Sequence, residues 1–242
     1  MTPVVGVRVL RPYTFVLALS IFLCTPANAE CVVLLHGLGR TSSSMKPLQE
    51  RLEESGFDVA NIDYPSRELP IEELAPLVVD AGVSSCPREV PIHFVTHSLG
   101  GILVRYYLEQ NTIDRLGRVV MLAPPNGGSE VVDSWRHVPG FEFLNGPAGL
   151  QLGTDADSIP AQLGAVDYDV GVIAGTRSFN PLLSAFLPNP DDGKVSVERT
   201  RVEGMKDFIE VPHSHPFIMR SSYVADQVIA FLKRGEFNRV TP

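Results

Sequence analysis

Ser98 stands in Thr96-His97-Ser98-Leu99-Gly100, between an apolar run and a stretch with helical spacing. A serine that attacks a carbonyl must project into a pocket while a backbone N–H beside it receives the developing oxyanion. A tight strand-to-helix turn meets both needs, because the helix start offers free N–H groups and a favourable dipole. The pattern is Gly-x-Ser-x-Gly with Thr96 in place of the first glycine. Ser-x-Gly alone is usually a helix N-cap; the apolar strand before it and the amphipathic helix after it favour the nucleophile. A second run, "VVLLHGLG" at 32–39, is a buried strand entering a glycine-containing loop. Such a loop can bring another N–H to the oxyanion. It lacks the spacing and the lysine of a phosphate-binding loop.

A serine needs a base, and the base an orienting acid. The chain has six histidines. His97 adjoins the serine, so the turn is expected to aim it away. His93 lies mid-strand and His36 in the first loop. His213 and His215 follow the last strand expected, where a base belongs. Asp191-Asp192-Gly193-Lys194-Val195, a turn-forming stretch, lies after the fifth strand and offers two acids. A metal site built from Asp191, Asp192, His213 and His215 is the competing reading, but it leaves the serine turn unexplained.

These groups need a frame that gathers loops along one edge. Strands are expected at 31–35, 57–62, 92–96, 118–122, 168–174 and 208–211. Several are continuous apolar runs, as in parallel strands buried on both faces. Helices are expected between them at 43–55, 71–81, 99–110 and 222–234, the third with Leu99, Ile102, Leu103 and Tyr106 on one face. Alternating strands and helices predict a mostly parallel, doubly wound α/β sheet of about six strands, with its site at the strand C-termini. Residues 124–166 break the rhythm. They are rich in Pro and Gly, carry Trp135, Phe141, Phe143, Leu144, Leu150 and Leu152, and are too long for an ordinary connection. They are a candidate cap or lid.

"LLHGLG", "VTHSLGG", "PDDGKVSV" and the late histidine together resemble the α/β-hydrolase superfamily, within it the small bacterial lipases and esterases. The resemblance spans residues 30–242 as one domain of minimal α/β-hydrolase fold. It implies Ser98 as nucleophile, Asp192 as acid and His215 as base, with the Leu38 and Leu99 N–H groups as oxyanion hole. It implies a carboxylic ester hydrolase without cofactor or metal, acting on a small-molecule or lipid ester, with transient contact between the cap and a lipid surface. Acyltransferases, thioesterases and amidases share this triad, and a non-catalytic binding protein could keep the fold.

Residues 1–29 read as a signal peptide. Arg8 and Arg11 precede a short apolar run, and Ala27-Asn28-Ala29 suits cleavage. Export to the periplasm or medium is expected. Without this segment, which holds two arginines and no acid, the formal charge goes from −8 to −10. So acidic a chain, with no basic run, is poorly suited to nucleic acid or an anionic lipid surface. Cleavage also leaves two cysteines, Cys31 and Cys86, most simply a disulfide in an oxidising compartment.

Overall fold

The computed structural model describes Met1 and residues 29–239. The expected signal peptide therefore lies, but for its two end residues, outside the described residues. Among those described, no helix is long and apolar enough to cross a membrane.

Six strands form one parallel sheet in the order β2-β1-β3-β4-β5-β6. They are β1 (Cys31–Leu35), β2 (Asp58–Ile62), β3 (Ile92–His97), β4 (Leu116–Leu122), β5 (Val170–Gly175) and β6 (Asp207–Val211). The central strands β1, β3 and β5 are buried throughout. Their unbroken apolar sequences follow from helices covering both faces. On one face lie α2 (Ile71–Ser85) and α3 (Leu99–Gln110). On the other lie α1 (Lys46–Glu54) and α9 (Ser222–Arg234).

Residues 124–166 hold three short helices: α4 (Glu130–Trp135), α5 (Phe141–Leu150), which kinks at Gly146, and α6 (Ile159–Gln162). Two more, α7 (Pro181–Ser184) and α8 (Val197–Thr200), flank the Asp191-Asp192 loop.

Two expectations need correction. The helix expected over 43–55 divides: a 3-10 turn, Ser42–Met45, precedes α1, because Pro47 falls in the first turn, where a helix can start but not continue. The helix expected to end at Ala81 runs on to Ser85. Gly82 does not stop it but lets it pack: a Cβ there would lie 2.5 Å from Val33 Cγ1.

Cys31, at the start of β1, is bridged to Cys86, which caps α2, with Cα atoms 5.8 Å apart. The bond lies at the strand N-termini, away from the Ser98 edge. Closing a loop of 55 residues, it stabilises the chain by about 4 kcal/mol on loop-entropy grounds.

Candidate functional site

Ser98 follows β3 directly and precedes α3. Its φ of 53° and ψ of −119° are a conformation that side-chain-bearing residues rarely adopt. The turn is held by the Ser98 N–H, which donates to the Leu122 carbonyl at 2.9 Å. It is also crowded. A Cβ on Gly100 would come within 2.8 Å of the Leu35 carbonyl oxygen. Thr96 fits where a glycine is usual because the space is made elsewhere: a Cβ on Gly101 would lie 3.3 Å from Thr96 Oγ1.

The three side chains expected from the sequence converge. Ser98 Oγ lies 3.0 Å from His215 Nε2, and His215 Nδ1 lies 2.7 Å from Asp192 Oδ2. An ionised carboxylate only accepts, so Nδ1 carries the proton and Nε2 is free to accept from the serine. Asp192 is 1% exposed. Its other oxygen accepts the N–H groups of Lys194 at 2.9 Å and Val195 at 2.8 Å. The His215 N–H returns to the Asp192 carbonyl at 3.0 Å, fastening the two loops together. Gly175, ending β5, lets these loops cross, since a Cβ there would strike the His213 carbonyl at 2.4 Å.

The neighbours of these residues do other work. Asp191 Oδ1 accepts the Ser184 hydroxyl and the Gly193 N–H, both at 2.7 Å, and so shapes the Asp192 loop from behind. The His213 ring bonds to nothing among the described residues; burial, then Arg177, hold its pKa below the ordinary value. The four residues of the metal reading do not converge. Among the described residues, no group of three or more His, Cys, Asp or Glu is placed to hold an ion.

His97 corrects the sequence reading. It is not aimed away from the site but buried against it, its ring centroid 4.9 Å from that of His215. Its Nε2 lies 3.0 Å from the His215 carbonyl. A carbonyl only accepts, so Nε2 bears a proton. Burial, reinforced by His215, pushes its pKa well down. Its other nitrogen, Nδ1, lies where a Cβ on Gly37 would stand, 2.6 Å away. Glycine at 37 thus makes room for this ring. Adjacency to Ser98 was the only sequence signal, and it pointed the wrong way.

The loop after β1 is fixed by His36. Its Nε2 accepts the Tyr64 N–H at 3.3 Å, so Nδ1 bears the proton and donates to the Gly37 carbonyl at 2.9 Å. The ring stacks on Tyr64 at 4.0 Å. The Arg40 N–H closes the turn onto the Gly37 carbonyl at 3.2 Å. This leaves the Leu38 N–H, like that of Leu99 at the start of α3, with no acceptor among the described residues.

Ser98 and His215 open into a cavity of about 300 Å³. One wall comes from residues 124–166: Val131, Val132, Phe141 and Leu152. Phe179 and Leu183, between β5 and the Asp191-Asp192 loop, line the cavity as well. Serine, imidazole, buried carboxylate and two free amides around an apolar cavity are the parts required to attack a carbonyl and hold the resulting oxyanion.

The sequence model of a family described as the alpha/beta hydrolase family matches residues 32–226. No curated protein matches by sequence. Among solved structures, the mature lipase BlEst2 of Bacillus licheniformis is similar, with TM-score 0.71 and 20% identity, over 87% of this chain and 93% of that one. Phospholipase PlaB of Legionella pneumophila aligns with TM-score 0.61 and 20% identity, over 84% and 57%. The metagenomic carboxyl esterase MGS0156 aligns with TM-score 0.60 and 18% identity, over 80% and 66%.

Proposed function

The chain belongs to the alpha/beta hydrolase family, and on that premise we propose that it is an exported serine hydrolase of carboxylic esters, of the lipase and esterase kind. The observation that carries the reading is the chain of contacts from Asp192 through His215 to Ser98. Ser98 Oγ attacks the ester carbonyl as His215 Nε2 takes its proton. Asp192 keeps the imidazole in the required tautomer and balances its positive charge. The Leu38 and Leu99 N–H groups stabilise the oxyanion, each worth about 3 kcal/mol in such a site. His215 then protonates the departing alcohol. Water, activated by the same imidazole, releases the acid from the acyl-enzyme.

An acyl chain as substrate is supported by the apolar cavity walls. Contact with a lipid surface through the cap is supported by Phe143 and Leu144 on α5, 88% and 63% exposed, and by Phe179 on the cavity lining, 77% exposed. Export is supported by the leader-like N-terminal sequence and the Cys31–Cys86 bond.

The test is a fluorophosphonate label with mass mapping, followed by p-nitrophenyl esters of rising chain length. The label is expected on Ser98, and Ser98→Ala is expected to lose about 10⁴-fold or more in kcat while remaining folded. Near-normal turnover in that variant would end the proposal.

A further inference from the structure

The charge of the cavity runs opposite to that of the molecule. The chain has 28 acidic and 20 basic residues. Yet its cavity is lined by two cations, Arg40 and Lys194, and by a single acid, Asp192, which is buried and committed to His215. Arg40 follows the loop that carries Leu38; Lys194 follows the loop that carries Asp192. The two cations thus come from separate segments around Ser98. Among the described residues, neither side chain has an ion-pair partner.

Lys194 is held there by its backbone. Its N–H donates to Asp192 Oδ1, and its carbonyl accepts the Ser129 hydroxyl at 2.7 Å. Although the residue is exposed by area, the protein around its ammonium displaces enough water to lower its pKa, against the pull of Asp192. An unpaired, partly desolvated cation gains more from an arriving anion than a fully hydrated one does. Some cations elsewhere are matched: Arg51 meets Asp226, Arg136 meets Asp133 and Asp155, and Arg199 meets Glu130.

We infer that Arg40 and Lys194 form an anion subsite, and that the preferred substrate is an ester bearing a negative charge close to its scissile carbonyl. This rests on the ester-hydrolase reading and specifies its substrate class. The charge has two sources, a carboxylate on the acyl side, as in the half-ester of a dicarboxylic acid, or a phosphodiester on the alcohol side, as in a phospholipid.

Two matched pairs of monomeric substrates distinguish them. One is p-nitrophenyl glutarate against p-nitrophenyl hexanoate; the other is dihexanoyl phosphatidylglycerol against dihexanoylglycerol. The readout is the ratio of kcat/KM, anionic over neutral, in wild type and in the double variant Arg40→Gln, Lys194→Met. A loss of about tenfold or more in either ratio, and a similar loss in wild type at high salt, supports the subsite and tells which side of the ester carries the charge. Arg51→Gln, on the outside of α1, serves as control and is expected to leave both ratios unaltered. Ratios that do not respond to the double variant in either pair overturn the inference. If no ester is turned over at all, the hydrolase reading fails separately. Calorimetric binding of hexyl phosphate then decides: binding at least tenfold weaker in the double variant sustains the subsite, and equal binding removes it.

Discussion

Ser98 holds a backbone conformation that costs a residue with a side chain about 1–3 kcal/mol, and the contacts around it must sustain that strain. They are the Leu122 carbonyl, the glycines at 100 and 101, and the ring of His97. The candidate nucleophile was legible because strand, serine and glycine occur together in the sequence. The choice between adjacent candidates came only from the family resemblance, not from the residues themselves. His213 and His215 both follow β6, and only the crossing of two loops decides which reaches the serine. The same holds for Asp191 and Asp192, one aimed at Ser184 and the other at His215. His215→Ala is therefore expected to lower kcat by about 10⁴-fold on a soluble ester, and His213→Ala hardly at all. Asp192→Asn is expected to cost about 10²- to 10⁴-fold by favouring the wrong tautomer. Asp191→Asn keeps an acceptor for Ser184 and Gly193, so rate and melting temperature are expected to change little. Steady-state kinetics on the four purified variants checks the ranking, and a larger loss at His213 or Asp191 would contradict it.

At the scale of elements, α3 shows most clearly what periodicity captures. Leu99, Ile102 and Leu103 are buried as expected, but so are Gly100, Gly101, Val104 and Arg105. The helix is covered on its second side by residues 124–166, and no amphipathic pattern reveals a cover that is itself irregular. Arg105 explains the burial. Its Nη1 donates to the Asn126 carbonyl at 3.0 Å and to Asn126 Oδ1 at 3.1 Å. Its Nη2 donates to the carbonyls of Gly164 at 2.9 Å and Leu163 at 3.2 Å. One buried guanidinium thus ties the start of the excursion to its end. Glu130 with Arg199, and Ser129 with the Lys194 carbonyl, tie its first helix to the Asp192 loop and α8. The base of the candidate cap is thus tied to the body of the protein at both ends. Arg105→Met keeps the stem and strands three backbone carbonyls. It is expected to destabilise the protein by about 2–4 kcal/mol in urea unfolding and to raise KM more than it lowers kcat. A loss below about 0.5 kcal/mol would show that water satisfies those carbonyls equally well.

For the whole molecule, the parallel sheet was legible because several strands are continuous apolar runs, as strands buried on both faces are. The cavity was not, because its walls come from α4, α5 and α7, helices too short to leave a period. The assembled fold has a consequence that no single segment carries. His36, His93 and His97 are all buried. Burial holds each pKa below 6.5, with His215 adding to the effect at His97 and with Gly37 and Glu30 opposing it at His36 and His93 respectively. The unfolded chain takes up these protons as the pH falls through about 6.5, while the folded chain does not until its own lower pKa values are reached. In that window the unfolded state binds more protons, so stability rises with pH and is lost on acidification, by up to about 1.4 kcal/mol per histidine per pH unit. Asp133 acts later. Burial would raise its pKa, but Thr154 and Arg136 hold it below 3.8, so its contribution is complete above that value and lost only as the pH falls through the lower, folded one. Urea midpoints measured from pH 8 to pH 4.5 are therefore expected to be level down to about pH 7 and to fall from about pH 6.5, well before carboxylates titrate. A midpoint still level at pH 4.5 would mean that these imidazoles take up their protons within the folded protein at no cost.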